Sequence, residues 1–266
     1  MSEMVLTRQE GEIQFVTLNR AEKRNALTLE MVEAIGAAVQ AAAETPAIRA
    51  VIVDANGPMF SAGIDVMALA AMRASAGEEH PGRWLRRLAE RMQRALHVIE
   101  ATELPVIGAL HGRVIGLGLE LALSFDLRIA AEDLQLSIPE TRLGLVADVG
   151  GTTRLSRVIG PSRAKDMLMT ARAVSASEAL QWGLVNRVVP TSAVGAAAVA
   201  LAGEIAANAP LAVGMAKLVI DQGDGVDRFT QMAIERWAQS QLVCTEDLGE
   251  ALGSFMEKRP AQFRGK

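Results

Sequence analysis

Three carboxylates stand in apolar company along one stretch of the chain. Glu120 is flanked by Leu119, Leu121, Ala122 and Leu123, Glu140 follows Ile138-Pro139, and Asp148 lies between Leu145-Val146-Ala147 and Val149-Gly150-Gly151. A carboxyl group forced among apolar neighbours has a raised pKa and can exchange a proton near neutral pH. Two segments, VIVDANGPMFSAGID and VIGALHGRVIGLGLE, echo each other as buried strand, glycine turn and helix start. A helix start carries unpaired backbone N–H groups and the positive end of the helix dipole. Two such starts aimed at one point make a hole for a developing oxyanion. The candidate donors are the N–H groups near Ala62-Gly63 and Leu117-Gly118. Spacing alone leaves a plainer reading open, in which the glycines serve tight turns and one or more acids are paired structural groups.

Other chemistries find little support. GLGLEL at Gly116 to Leu121 lacks the third glycine and the later acidic residue of a dinucleotide fingerprint. There is no P-loop, GxSxG, HExxH or Cys/His metal spacing, so Ser61, Ser124 and Ser137 read as structural. His80, His97 and His111 fall in a loop, a helix and a strand end, and a lone histidine is more often structural than catalytic. Aromatics make up 3% of the chain, with no Tyr, which leaves no stacking platform for single-stranded nucleic acid. The net charge is -4 and no basic stripe stands out, so no nucleic-acid partner is expected, and Arg83, Arg86, Arg87, Arg91 and Arg94 read first as a solvated helix face. The single Cys244 rules out an internal disulfide and points to a reducing, cytoplasmic compartment. No apolar N-terminal run reads as a signal peptide and none is long enough to span a bilayer, so no membrane partner is expected.

These residues need a scaffold, and 266 residues suffice for a large buried core. Residues 4–18 alternate around Glu10-Gly11 and predict a β-hairpin. Leu29, Val32, Ile35 and Val39 follow helical spacing behind Thr28 as N-cap. Ala50 onward reads as a buried strand, 74–82 as a mobile polar loop, and 84–99 as an amphipathic helix. Pro105 opens another buried strand before the glycine turn, and Asp126 opens two short strands. After Gly151 one strand remains, at 184–190, and the rest is helical. Strands alternating with helices and then a run of helices imply an α/β core followed by a helical region.

The motifs resemble the enoyl-CoA hydratase/isomerase (crotonase) family over essentially the whole chain. LNRAEKRNALT, MFSAGIDV, HGRVIGLGLELALSFDLRIAA, PETRLGLVADVGGTTRL, ALQWGLVNRVV and the terminal EALGSFMEKRPAQFRGK each match a family landmark. The resemblance implies a spiral of ββα turns over residues 1–194, and a C-terminal helical region, 195–266, for oligomerisation and active-site closure. It implies an acyl-CoA substrate whose thioester carbonyl is held by the N–H groups of Ala62 and Leu117. Arg24, Ala26, Ala62, Gly63, Ile64, Asp65 and Gly116 would contact the substrate. Leu117 stands where hydratases commonly carry glycine, and its isobutyl group would narrow the approach. Glu120 and Glu140 match the acid pair that adds water to a 2-enoyl-CoA, giving a 3-hydroxyacyl-CoA as in fatty-acid β-oxidation. Asp148 instead resembles dienoyl-CoA isomerases, in which acids matching Glu140 and Asp148 would convert 3,5-dienoyl-CoA to 2,4-dienoyl-CoA. No metal or separate cofactor is implied, coenzyme A being part of the substrate. The resemblance also implies a homotrimer or a dimer of trimers.

Overall fold

The glycine turn after Glu10 folds the first strand, β1 (Val5–Glu10), against β2 (Ile13–Leu18) in the expected antiparallel hairpin. The chain was computed as a structural model that describes residues 3–266. The helix α1 (Leu29–Ala43) starts where Thr28 accepts a hydrogen bond from Met31 N–H, and it buries Leu29, Met31, Val32, Ile35 and Val39. The strand β3 (Ala50–Ala55) then pairs parallel with β2. The helices α2 (Val66–Ser75) and α3 (Pro81–Ala101) follow. The polar segment expected as a loop over 74–82 shrinks to the few residues between these helices. Pro81 suits the first helical position and His80 Nδ1 accepts from Gly82 N–H, so α3 begins earlier than its apolar spacing suggests.

Two strand–strand–helix turns come next. They are β4 (Val106–Leu110), β5 (Arg113–Ile115) and α4 (Leu117–Ala122), then β6 (Leu127–Ala131), β7 (Gln135–Ser137) and, after a 3-10 turn at Glu140–Leu143, α5 (Gly151–Ile159). The helix α6 (Pro161–Thr170), the two-residue strand β8 (Val174–Ser175), which the sequence pattern does not reveal, α7 (Ala176–Trp182) and β9 (Arg187–Val189) complete the core. The main sheet has the order β1-β2-β3-β4-β6-β9, parallel from β2 onward, and a smaller sheet has the order β5-β7-β8. Ser61 forms a lone parallel bridge to Val114, so the β3–α2 unit also contributes one residue beside the smaller sheet. The sequence echo is therefore a structural one: each unit runs from main sheet to small sheet to helix.

Side chains of α1, α3, α4 and α5 join one face of the main sheet in the large core. The opposite face is covered by α8 (Val194–Ala206), whose Val194, Ala198, Leu201 and Ala202 pack on Ile52, Ile107 and Ile129. The first helix of the C-terminal stretch thus packs on the sheet, which would otherwise leave an apolar face in water. The helices lying outside the sheet are α9 (Pro210–Gln222), α10 (Arg228–Leu242) and α11 (Glu246–Glu257). Cys244 sits exposed between the last two. No single described helix is long and apolar enough to cross a membrane.

Candidate active site

The two echoed turns are held side by side. Ser61 N–H donates to Arg113 O and Ile115 N–H donates to Ser61 O, which laces the turn after β3 to β5. A Cβ built on Gly63 would fall 2.7 Å from Ile115 O and 3.6 Å from Leu117 N, so Gly63 backs directly onto the start of α4. Which N–H groups face the site is decided by their partners. Ala62 N–H donates to Arg24 O at 2.9 Å and is already engaged, contrary to the expectation that it serves the oxyanion hole. Gly63 O accepts from Leu27 N–H at 2.7 Å. In a trans peptide the next N–H points the opposite way, so Ile64 N–H faces away from Leu27. It has no acceptor among the described residues, and neither has Leu117 N–H at the first turn of α4. The free pair is therefore Ile64 and Leu117. The sequence pattern marks the right loop but not the residue, because only the pairing with Leu27 shows which way each amide points.

Leu117 is 3% exposed and its side chain joins the large core. Its isobutyl group is thus packed among apolar neighbours rather than exposed at the turn. Gly116, just before it, has φ 52 and ψ -122, a backbone conformation open to glycine. A Cβ there would collide with Glu140 Oε1, which places Glu140 directly against the α4 start.

The three carboxylates gather around these turns. Glu120 is one helical turn into α4 and 3% exposed. Its Oε1 accepts from Val149 N–H and Gly151 N–H, both at 2.8 Å, the latter at the start of α5. Burial, reinforced by the charges of Glu140 and Asp148, pushes its pKa up to about 7 against those two hydrogen bonds. Glu140 opens the 3-10 turn after β7. Burial raises its pKa, and the nearby Asp148 charge adds to the rise. Its Oε2 is buried with no hydrogen-bond partner, an orphan acceptor of the kind that structural acids do not leave. Asp148 lies at the rim with an exposed side chain, although the wall of the cleft desolvates its carboxyl enough to raise it. Its carbonyl accepts from Gln93 Nε2 at 2.6 Å, and Arg154 fixes the next residue by donating to Val149 O while pairing with Glu100. The acids are thus coupled charges in one site. Such a group of carboxyls shares protons rather than ionising together.

The N-terminal segment is the third wall. Arg24 and Asn25 take positive φ values of 53° and 50°. Asn25 is fully buried, accepts from Arg20 N–H and donates to Asn56 O and Met59 O. Asn25 therefore ties this segment to the turn after β3, a role that its type and position do not announce. Arg24 has an exposed side chain with no ion-pair partner among the described residues. Ala26 O already accepts from Arg20 Nη1, and Ala26 N–H donates to Lys23 O. Asp65 likewise is consumed internally. It caps α2 through Ala68 N–H and pairs with Arg20 at 2.6 Å, and that hydrogen bond from Ala68, with the Arg20 charge, holds its carboxyl below the usual range. Asp65 and Ala26 hold the loop rather than presenting free groups to a ligand. The histidines stay apart: His97 is exposed on α3, and His111 bonds Gly57 O.

The sequence profile described as enoyl-CoA hydratase/isomerase matches residues 8–266. The chain belongs to that family. It is 33% identical over 268 residues to the 2,3-dehydroadipyl-CoA hydratase of Escherichia coli, covering 100% of both chains. It is 34% identical over 265 residues to the crotonyl-CoA hydratase of Syntrophomonas wolfei, covering 99% of both. The crystal structure of an enoyl-CoA hydratase from Bacillus anthracis superimposes with a TM-score of 0.92 at 33% identity, over 99% of this chain and 100% of that one. The ββα spiral is therefore the crotonase fold of a hydratase/isomerase enzyme.

Proposed function

We propose that the protein hydrates a 2-enoyl-CoA to a 3-hydroxyacyl-CoA. The observation that carries this reading is the pair Glu120 and Glu140, both with raised pKa values, set beside two unpartnered backbone N–H groups. The Ile64 and Leu117 N–H groups receive the thioester oxygen as negative charge develops on it. Glu120, fixed by Val149 and Gly151, and Glu140, with its unpartnered Oε2, orient one water between them. The water oxygen bonds to Cβ, the Cα=Cβ electron pair moves toward the thioester as an enolate, and a proton returns to Cα from the carboxyl that received it. No proton is gained or lost overall beyond those of the added water. Arg24, exposed and with no ion-pair partner among the described residues, would serve to meet a phosphate of coenzyme A.

Relatives named for crotonyl-CoA and for dehydroadipyl-CoA support an unsaturated acyl thioester without choosing the chain. The test is the loss of enoyl-thioester absorbance with crotonyl-CoA, followed by identification of the product. Glu140→Gln should lower turnover about 10²-fold or more while leaving the fold intact, which is the usual contribution of a general acid–base group. Unchanged turnover in that variant would remove Glu140 from the mechanism. A second reading is favoured by Asp148, whose charge reaches both glutamates. Glu140 and Asp148 would then move a proton between distant carbons of a 3,5-dienoyl-CoA. Asp148→Asn abolishing dienoyl-CoA isomerisation while sparing hydration would support it.

The exposed apolar side chains of α9 to α11, among them Ile220, Phe229, Trp237, Leu252 and Phe255, support assembly into a homotrimer or a dimer of trimers.

A further inference from the structure

A single buried hydroxyl lies between the two turns that carry the free N–H groups. Ser61 is 0% exposed. Its Oγ donates to Asn25 O at 2.8 Å and accepts from Gly63 N–H at 3.1 Å, so both capacities of the hydroxyl are used. Gly63 immediately precedes Ile64. On its other side, Ser61 packs against α4: a Cβ added to Gly118 would fall 2.8 Å from both Cβ and Oγ of Ser61. Gly118 immediately follows Leu117. The Ser61 backbone is meanwhile bonded to Arg113 and Ile115 on β5, so the residue cannot drift.

We propose that Ser61 is a positioning residue that sets the separation and aim of the two oxyanion N–H groups. This rests on the hydratase reading above. The hydroxyl fixes the Gly63 peptide, and with it the direction of Ile64 N–H. The small size of the side chain lets the first turn of α4 come close, which sets the place of Leu117 N–H. A serine suits both demands. Alanine keeps the close approach but leaves Gly63 N–H and Asn25 O buried without partners, and these relax by moving. Threonine keeps the hydroxyl but adds a methyl group where Gly118 already crowds the site.

The experiment compares wild type, Ser61→Ala and Gly118→Ala, each checked as folded by circular dichroism. Butyryl-CoA, which has a thioester but no double bond to hydrate, serves as an infrared probe. In the wild type the carbonyl stretch of bound butyryl-CoA shifts to lower frequency as two N–H groups polarise it. In Ser61→Ala the shift should shrink and crotonyl-CoA turnover should fall roughly ten- to a hundredfold, the scale of losing or misplacing one oxyanion donor. KM and coenzyme A affinity should change little. Gly118→Ala should show the same spectral change although it keeps the hydroxyl. If Ser61→Ala does not fold, Ser61→Cys keeps an unbranched side chain of the same shape, somewhat larger, and replaces a strong donor and acceptor by a weak one. Its expected result is a smaller shift of the same sign. A wild-type carbonyl shift and turnover per folded molecule in the serine variant would overturn the proposal while leaving the hydratase reading intact. A wild type that does not polarise the carbonyl would instead remove the oxyanion hole itself.

Discussion

At the scale of single residues, Glu120 carries a conflict between stability and chemistry. Its pKa rises from an ordinary 4.5 to about 7 on folding, chiefly through burial. A raised carboxyl pKa means that the folded state holds its proton longer than the unfolded state. The cost is absent below about pH 4.5, grows between pH 4.5 and 7, and is complete above that, on the order of 3 kcal/mol at 1.36 kcal/mol per unit. Glu120→Gln keeps an acceptor for Val149 and Gly151 N–H and removes the charge. Thermal unfolding should therefore show the variant more stable than wild type at pH 8, with the gain shrinking toward pH 5, while hydration is lost. Equal stability at both pH values would contradict the burial argument. Asp148 is the complementary probe. Asp148→Asn removes a like charge, so the limb of the kcat/KM profile belonging to Glu120 should move to lower pH. A limb that stays in place would mean that Asp148 does not act on Glu120.

At the scale of elements, the site depends on how helices are fastened to the sheet. The Lys217 ammonium of α9 reaches into the core, where it bonds Ile99 O, Leu104 O and Asp126 Oδ2, the last at 2.9 Å. Asp126 itself accepts from Val106 N–H at the start of β4. Burial raises its carboxyl pKa, and Lys217 opposes that rise. Removing one partner of a buried pair leaves the other uncompensated, so Lys217→Met should cost about 3–5 kcal/mol in denaturant unfolding. The double variant with Asp126→Asn should recover part of that loss, and a purely additive double variant would show that the pair is not coupled.

At the scale of the whole molecule, the outer helices leave large apolar side chains in solvent: Phe255 is 83% exposed and Trp237 60%. A surface of that kind is consistent with burial between copies of the chain. Light scattering coupled to size exclusion should give a multiple of the monomer mass at concentrations where the enzyme is active. Phe255→Asp should shift the distribution toward smaller species, and a strictly monomeric wild type would sink the assembly proposal.

Much of the scaffold is written in local signals. The hairpin at Gly11, the α1 helix behind Thr28 and the buried strands at Ala50 and Pro105 were legible because periodicity, capping and turn residues are local signals. The echo of two strand–glycine–helix units and the three acids in apolar company marked the site region for the same reason. Other features arise only from contacts between distant segments. The strand β8 owes its two residues to pairing with β7, not to its own pattern. The helix α8 packs on the sheet because the sheet needs its second face covered. The choice of Ile64 over Ala62 turns on which carbonyl each peptide meets across the chain, Arg24 O or none. Amide direction and side-chain aim arise from contacts between residues distant in sequence, so no local pattern could have shown them.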